Sequence, residues 1–426
     1  MAVLAAVLAA TGYGRTGHAK ARSAGSIEVF AVWTASEENA FLQVVDQFTK
    51  DTGINVTYVP TLSGFTTDID ARLAAGNPPD IAMLPSPGYL ASLAKLGALK
   101  DLGTMGLTKS YLSQRYGPAW LRYGTVGGRL YGVPVKASSK SWIWYRPDQF
   151  KKYKFTIPMT WGQLLALSTA MKAKGLVPWA VGAAQSQWVL GDWVENIYAR
   201  MFGPAKYRAL FTGKLPFTDP SVTEAIRTMV EIINKRYVLG GIPGVLGSTW
   251  VDGVGDVFGT QAKAPKAQLY YEGGFVGAIA LGQVNPKLVI GKTIDDFPWP
   301  TINPKWGSPV TIGADYAVAF KDSPEVKRFL QYITSADAAK IWVAGGAVIP
   351  NKLLPGSAYP NSLARKEGAQ LASAKSVLFD GDDQMPGNFE NTWCLGLQDA
   401  ITNPSVANIK KIERDFQREI AGQWGK

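Results

Sequence analysis

Between residues 27 and 96 the chain alternates short β-branched or aromatic runs with amphipathic stretches, and this alternation restricts the fold more than any other feature. Residues 27–33 suit a pleated strand. The next segment sets Phe41, Leu42, Val44, Val45 and Phe48 on one helical face. Glu37 and Glu38 lie in its first turn, Lys50 in its last and Gly53 just beyond, as the helix dipole and a C-terminal stop require. Residues 54–59 then read as a strand, 65–75 as a helix, 80–84 as a strand and 89–96 as a helix. Successive βαβ units predict a mainly parallel sheet with helices on its faces. Ligands bind such sheets beyond the carboxyl ends of the strands. Two segments fall there: one holding Trp33, Ser36 and Glu37, the other the Pro85-Ser86-Pro87-Gly88 turn with Ser86.

A second series follows. Residues 130–135 and 138–145 read as strands, and Thr160 as the N-cap of a helix ending near Gly175. A strand is expected at 177–181, an aromatic-rich helix at 188–201 and a helix at 221–237. Residues 268–275 read as a strand and a Gly-rich turn, 316–320 as a strand and 324–334 as a helix. The remainder reads as mostly helical, with a loop at 380–388. At 426 residues the chain has room for two or three domains.

Residue counts exclude much chemistry. The one histidine, His18, precedes the first strand, so no Ser-His-Asp triad, Cys-His pair or multi-His metal site can form. The one cysteine, Cys394, excludes an intramolecular disulfide and a Cys-cluster zinc site, and beside Trp393 it reads as a small buried hydrophobe. Net charge is +11, but the basic residues are scattered, with no nucleic-acid-binding module. No cofactor and no metal are expected.

The apolar run at residues 3–10 reaches about 12 Å as a helix, against roughly 30 Å for a bilayer. With small residues and basic sequence after it, it reads as the back half of a secretory signal lacking its basic start. Leu8-Ala9-Ala10-Thr11-Gly12 resembles a bacterial lipoprotein box with Thr11 where the lipid-bearing Cys would stand, which leaves a lipid anchor open. An extracytoplasmic location is expected, with residues 1–25 a signal-like segment and flexible tether. Gly12, Gly14 and Gly17 spell a dinucleotide fingerprint outside any βαβ unit, a coincidence of spacing.

Several short motifs recur in a characteristic order. They are Pro79-Asp80-Ile81-Ala82, Gly128-Arg129-Leu130-Tyr131-Gly132-Val133-Pro134, Trp144-Tyr145-Arg146, Pro158-x-Thr160-Trp161, Glu272-Gly273-Gly274 and Trp342-x-x-Gly345-Gly346. In this order the chain resembles the extracellular solute-binding proteins of carbohydrate ABC transporters, from about Ile27 to the C-terminus. The resemblance implies a type II periplasmic-binding-protein-like α/β fold, each lobe a mainly parallel sheet flanked by helices, with a ligand cleft between the lobes. Residues 26–136 and 310–353 would form the N-terminal lobe, and 137–309 and 354–426 the C-terminal lobe. It also implies a monomer that binds a mono- or oligosaccharide and passes it to permease subunits served by an ATPase.

A sugar offers apolar C–H faces and a rim of hydroxyls, so its receptor needs flat rings and acidic or amide groups. Trp33 lies near Glu37, Trp188 near Gln187 and Asp192, and Trp250 near Asp252. The family places the loop Glu272, Gly273 and Gly274 in the cleft, and Asp315 falls where the chain should re-enter the first lobe. Asp380-Gly381-Asp382-Asp383 suggests calcium, but Met385 stands where an EF-hand loop needs glycine, so the run reads as a cleft loop supplying Asp383. Ser138 and Ser139 complete the candidate ligand contacts. The rival class is an exported glycosidase or lyase, in which Asp192, Glu272 and Asp383 would supply the carboxylate pair.

Overall fold

The computed structural model describes residues 25–61, 65–184, 188–374, 376–385 and 389–421, and the chain there folds as two α/β lobes with separate cores. The strands are β1 (Ser26–Ala31), β2 (Asn55–Pro60), β3 (Ile81–Leu84), β4 (Thr125–Val126), β5 (Arg129–Leu130), β6 (Gly132–Ser139), β7 (Trp142–Tyr145), β8 (Val177–Trp179), β9 (Ala267–Tyr271), β10 (Asp295–Pro298), β11 (Val310–Ala319) and β12 (Val377–Phe379). One six-stranded sheet runs β12-β11-β3-β1-β2 with β6 also on β11, and a four-stranded sheet runs β10-β7-β9-β8. β4 and β5 form a separate hairpin.

Both sheets are mixed: parallel pairings predominate in the first, as expected, and antiparallel ones in the second. β1 is parallel to β2 and β3, because helices Ala35–Thr52 and Phe65–Ala74 return the chain between them. β11 enters in the opposite sense and pairs antiparallel with β3 and β6. In the second sheet only β8 and β9 are parallel.

Helix starts and stops follow the sequence closely. Gly53 ends Ala35–Thr52 in the left-handed region at φ 72°, and Thr160 forms a capping box with Gln163 at the start of Trp161–Ala173. Helix Trp188–Leu210 runs past its expected end and kinks at Gly203 (φ 85°), against the Trp306 ring, where a side chain would clash. This helix is the axis of the second core: Trp193 meets Trp179, Tyr271 and Trp299 edge-on. Trp142, Trp144 and Trp161 are core residues, and burial pushes the Cys394 thiol up.

The lobes are joined where strands change cores. Ala137 packs in the first core and Ile143 in the second. On β12, Phe379 faces the first core and Leu378 the second. Thus the segment 354–426, expected in the C-terminal lobe, also contributes a strand to the first sheet. No described helix is long and apolar enough to cross a membrane.

Candidate functional site

The crossing strand β6 carries Lys136 and Ser138 at alternate positions, and Lys140 continues that spacing just beyond its end. A register shift between Asp315 and Tyr316 sets Asp315 directly opposite Lys136. Lys136 pairs with Glu37 and lies 3.8 Å from Asp315, whose Oδ2 accepts the Trp33 indole N–H at 3.1 Å. Burial pulls the Lys136 ammonium down, but the two carboxylates outweigh it and hold it above its ordinary value. Burial pushes Asp315 up, with Lys136 opposing.

At the crossing, Glu367 of helix Ser362–Ser373 accepts Ser139 N–H at 2.6 Å and Ser138 Oγ–H at 3.1 Å, and Gln370 bonds Ser139 Oγ. Burial pushes Glu367 up to about 8. A Cβ built on Gly274 would overlap the Glu367 carboxylate, so a side chain there forces that carboxylate to move. Gly274→Ala should therefore displace Glu367, breaking bonds across the crossing. We expect a loss of about 1–3 kcal/mol in chemical denaturation, as for other overpacked sites.

On the second lobe, Trp188, Trp250 and Phe275 form a half-buried aromatic corner. Their centroids are 6.1 Å apart for Trp188 and Trp250, 5.9 Å for Trp188 and Phe275, and 5.5 Å for Trp250 and Phe275. Lys140 Nζ lies 5.1 Å from the Trp188 centroid, contacts Asp192 Oδ1 at 3.0 Å and pairs with Asp380. Burial pulls Lys140 down, yet the surrounding carboxylates raise it well above its usual value. Burial pushes Asp192 and Asp383 well up and Glu272 up to about 8. Both Glu272 carboxylate oxygens, Asp192 Oδ2 and Asp380 Oδ1 are buried without an N–H or hydroxyl donor among the described residues. Flat rings beside buried acceptors suit a guest with apolar faces and many hydroxyl groups.

The nominated residues divide. Trp188, Asp192, Trp250, Glu272 and Asp383 gather around the aromatic corner and Lys140. Glu37, Asp315, Ser138 and Ser139 lie along the crossing and the first lobe. Trp33 has its rim closed by Phe41 and Trp342 and is only 1% exposed, so its ring is a core element and not an open stacking face. Ser86 caps helix Pro87–Lys95 and donates to the Asp383 carbonyl at 2.7 Å, tying the first lobe to the 380s segment. Gly273 and Gly274 face Ser138, Phe275 and Glu367. Ser36 lies in the first turn of its helix, its side chain outside the described set, and Gln187 lies outside the described residues. Asp252 caps its own helix through Thr249.

Sequence reasoning missed Lys136, Lys140, Glu367 and Phe275, and from the 380–383 run it singled out Asp383 and not Asp380. The period-two spacing of Lys136, Ser138 and Lys140 was a usable signal. Glu367 had none, since an acidic residue on an amphipathic helix reads as solvated surface.

A family model described as bacterial extracellular solute-binding protein matches residues 34–340. An osmoprotective-compounds-binding protein from Synechocystis sp. is 32% identical, covering 92% of this chain and 92% of its own. An alpha-glucosides-binding periplasmic protein from Rhizobium meliloti is 29% identical, covering 90% and 85%. Among solved structures, a bacterial solute receptor with preference for β-D-galactopyranose superposes with a TM-score of 0.81 at 22% identity, over 93% of this chain and 99% of its own. A chitin oligosaccharide binding protein gives 0.80 at 20%, over 95% and 100%. The two structures share the fold, and the family match spans most of the chain. The chain belongs to the bacterial extracellular solute-binding protein family.

Proposed function

We propose that this protein is an extracytoplasmic receptor that captures a sugar or short oligosaccharide between its lobes and delivers it, chemically unaltered, to the permease of an ABC importer. The observation that carries this reading is the half-exposed corner of Trp188, Trp250 and Phe275 beside the donor-poor carboxylates of Asp192 and Glu272. Closure of the lobes would add contacts that the open form lacks, so the ligand would favour the closed form by that differential affinity. Hinge closure of this kind is a documented transition for such two-lobed proteins.

The most similar relatives named above point to α-glucosides and osmoprotective compounds as the ligand class. Within that class the corner favours neutral polyhydroxylated molecules. The Lys140 ammonium already occupies the neighbourhood of the Trp188 ring, so the quaternary ammonium head of an osmolyte such as betaine would meet like charge there.

Titration calorimetry with maltose, trehalose, sucrose, a glucosylated glycerol, galactose and glycine betaine tests this. We expect at least one glucoside to bind near micromolar, about −8 kcal/mol, and betaine not to bind. Mass spectrometry of the recovered ligand should show it intact. A cleaved saccharide would support a glycosidase or lyase instead, and no binding by any sugar would overturn the reading.

A further inference from the structure

The acidic run at 380–383 is not exhausted by the sugar-facing corner. Behind it, carboxylate oxygens of Glu195, Asp380 and Asp382 lie within 4.8 Å of one another, all fully buried. Glu195 accepts Gly381 N–H, Asp382 N–H (3.1 Å) and Tyr207 O–H (2.7 Å), which fixes its carboxyl group against the 380–384 segment. Asp380 is held charged by its ion pair to Lys140 through Oδ2.

One oxygen remains unmatched. Asp380 is 1% exposed, and its Oδ1 has no donor among the described residues. Among the described residues the Asp382 side chain receives the Cys394 thiol, at 3.9 Å. Lys140 is the only basic residue among the described ones in an ion pair with Asp380, and none pairs with Glu195 or Asp382. Three buried carboxyl groups within reach of one another, one with a free acceptor oxygen, crowd negative charge that a further positive partner would relieve.

We propose that Glu195, Asp380 and Asp382 form a calcium site that pins helix Trp188–Leu210 to the segment 380–384. Oxygen-only donors in a buried, irregular cage suit calcium better than magnesium, which demands octahedral geometry and keeps most of its water. Such a site would set the position of Asp380, and through it Lys140, at the back of the aromatic corner.

The test uses the full chain, stripped with a chelator and titrated with calcium, with terbium as a luminescent stand-in sensitised by Tyr207. We expect one terbium ion per chain with sensitised emission, displacement by calcium and not by equimolar magnesium, and a rise of a few degrees in melting temperature with calcium. Asp382→Asn should weaken calcium at least about tenfold, whereas exposed Asp415→Asn should not. If Asp382→Asn fails to fold, stoichiometry and metal competition on the unaltered chain still decide. Absence of both sensitised emission and a calcium-dependent melting shift overturns the proposal and leaves shared protons as the positive partner. Equal loss of signal in Asp415→Asn overturns it as well, as surface binding.

Discussion

Trp188→Ala is expected to lower sugar affinity by about 10- to 100-fold, the equivalent of about 1.5–3 kcal/mol for one aromatic face lost from the site. The ring stands at the start of helix Trp188–Leu210, half-buried, tilted 50° from Trp250 and nearly edge-on to Phe275. The helix does not depend on it, because Val189, Leu190, Trp193, Val194 and Ile197 seat the same segment in the core. Affinity and stability should therefore separate: calorimetry registers the loss while the melting temperature moves little. Trp188→Phe should recover part of the binding, since it restores a flat face of smaller area. Unchanged affinity in Trp188→Ala would place the ligand elsewhere and remove the aromatic corner from the site.

Residue patterns exposed the architecture and some of the side chains that gather around Lys140, and the division has a physical basis. The crossover units between residues 26 and 95 were legible because strand and helix periods alternate there with matching caps. β12 was not, because three residues flanked by helices leave no period to detect, and the pairing that makes it a strand comes from β11, more than sixty positions earlier. The same limit applies to the site. Trp188 and Trp250 were legible as aromatic residues at helix starts, and the structure brings their rings together. Trp33 occupied an equally suitable position, beyond the end of β1, yet Trp342, far along the sequence, closes over it. Glu272 was found through its loop, but its neighbours Lys140, Asp192 and Asp380 come from three separate segments. Sequence reports which side chains can do chemistry, and long-range packing decides which of them meet.

Lys140→Met should be the most damaging single substitution on the binding side, costing about 3–5 kcal/mol at neutral pH, because it leaves buried carboxylates without their cation. Methionine retains much of the stem, so the loss would be one of charge and not of volume. The lysine side chain is 12% exposed, and its partners Asp192 and Asp380 are 0% and 2% exposed, so solvent cannot take its place. The pH dependence gives a sharper test. Glu272 and Glu367 have folded values pushed by burial to about 8, against about 4.5 for the ordinary group. The stability held by their protonated forms is complete below about pH 4.5 and is lost as pH rises through about 8. Denaturation of the unaltered chain should therefore show stability declining across that window. Without Lys140 the nearby Asp192, Glu272 and Asp380 lose the charge that favours their ionised forms, so the decline should steepen. Towards pH 5, where protonation relieves the crowding, the variant should recover much of its deficit. A gap between the two proteins that stays constant from pH 5 to pH 8 would mean that Lys140 contributes packing alone, and that the carboxylates around it are neutralised by something else.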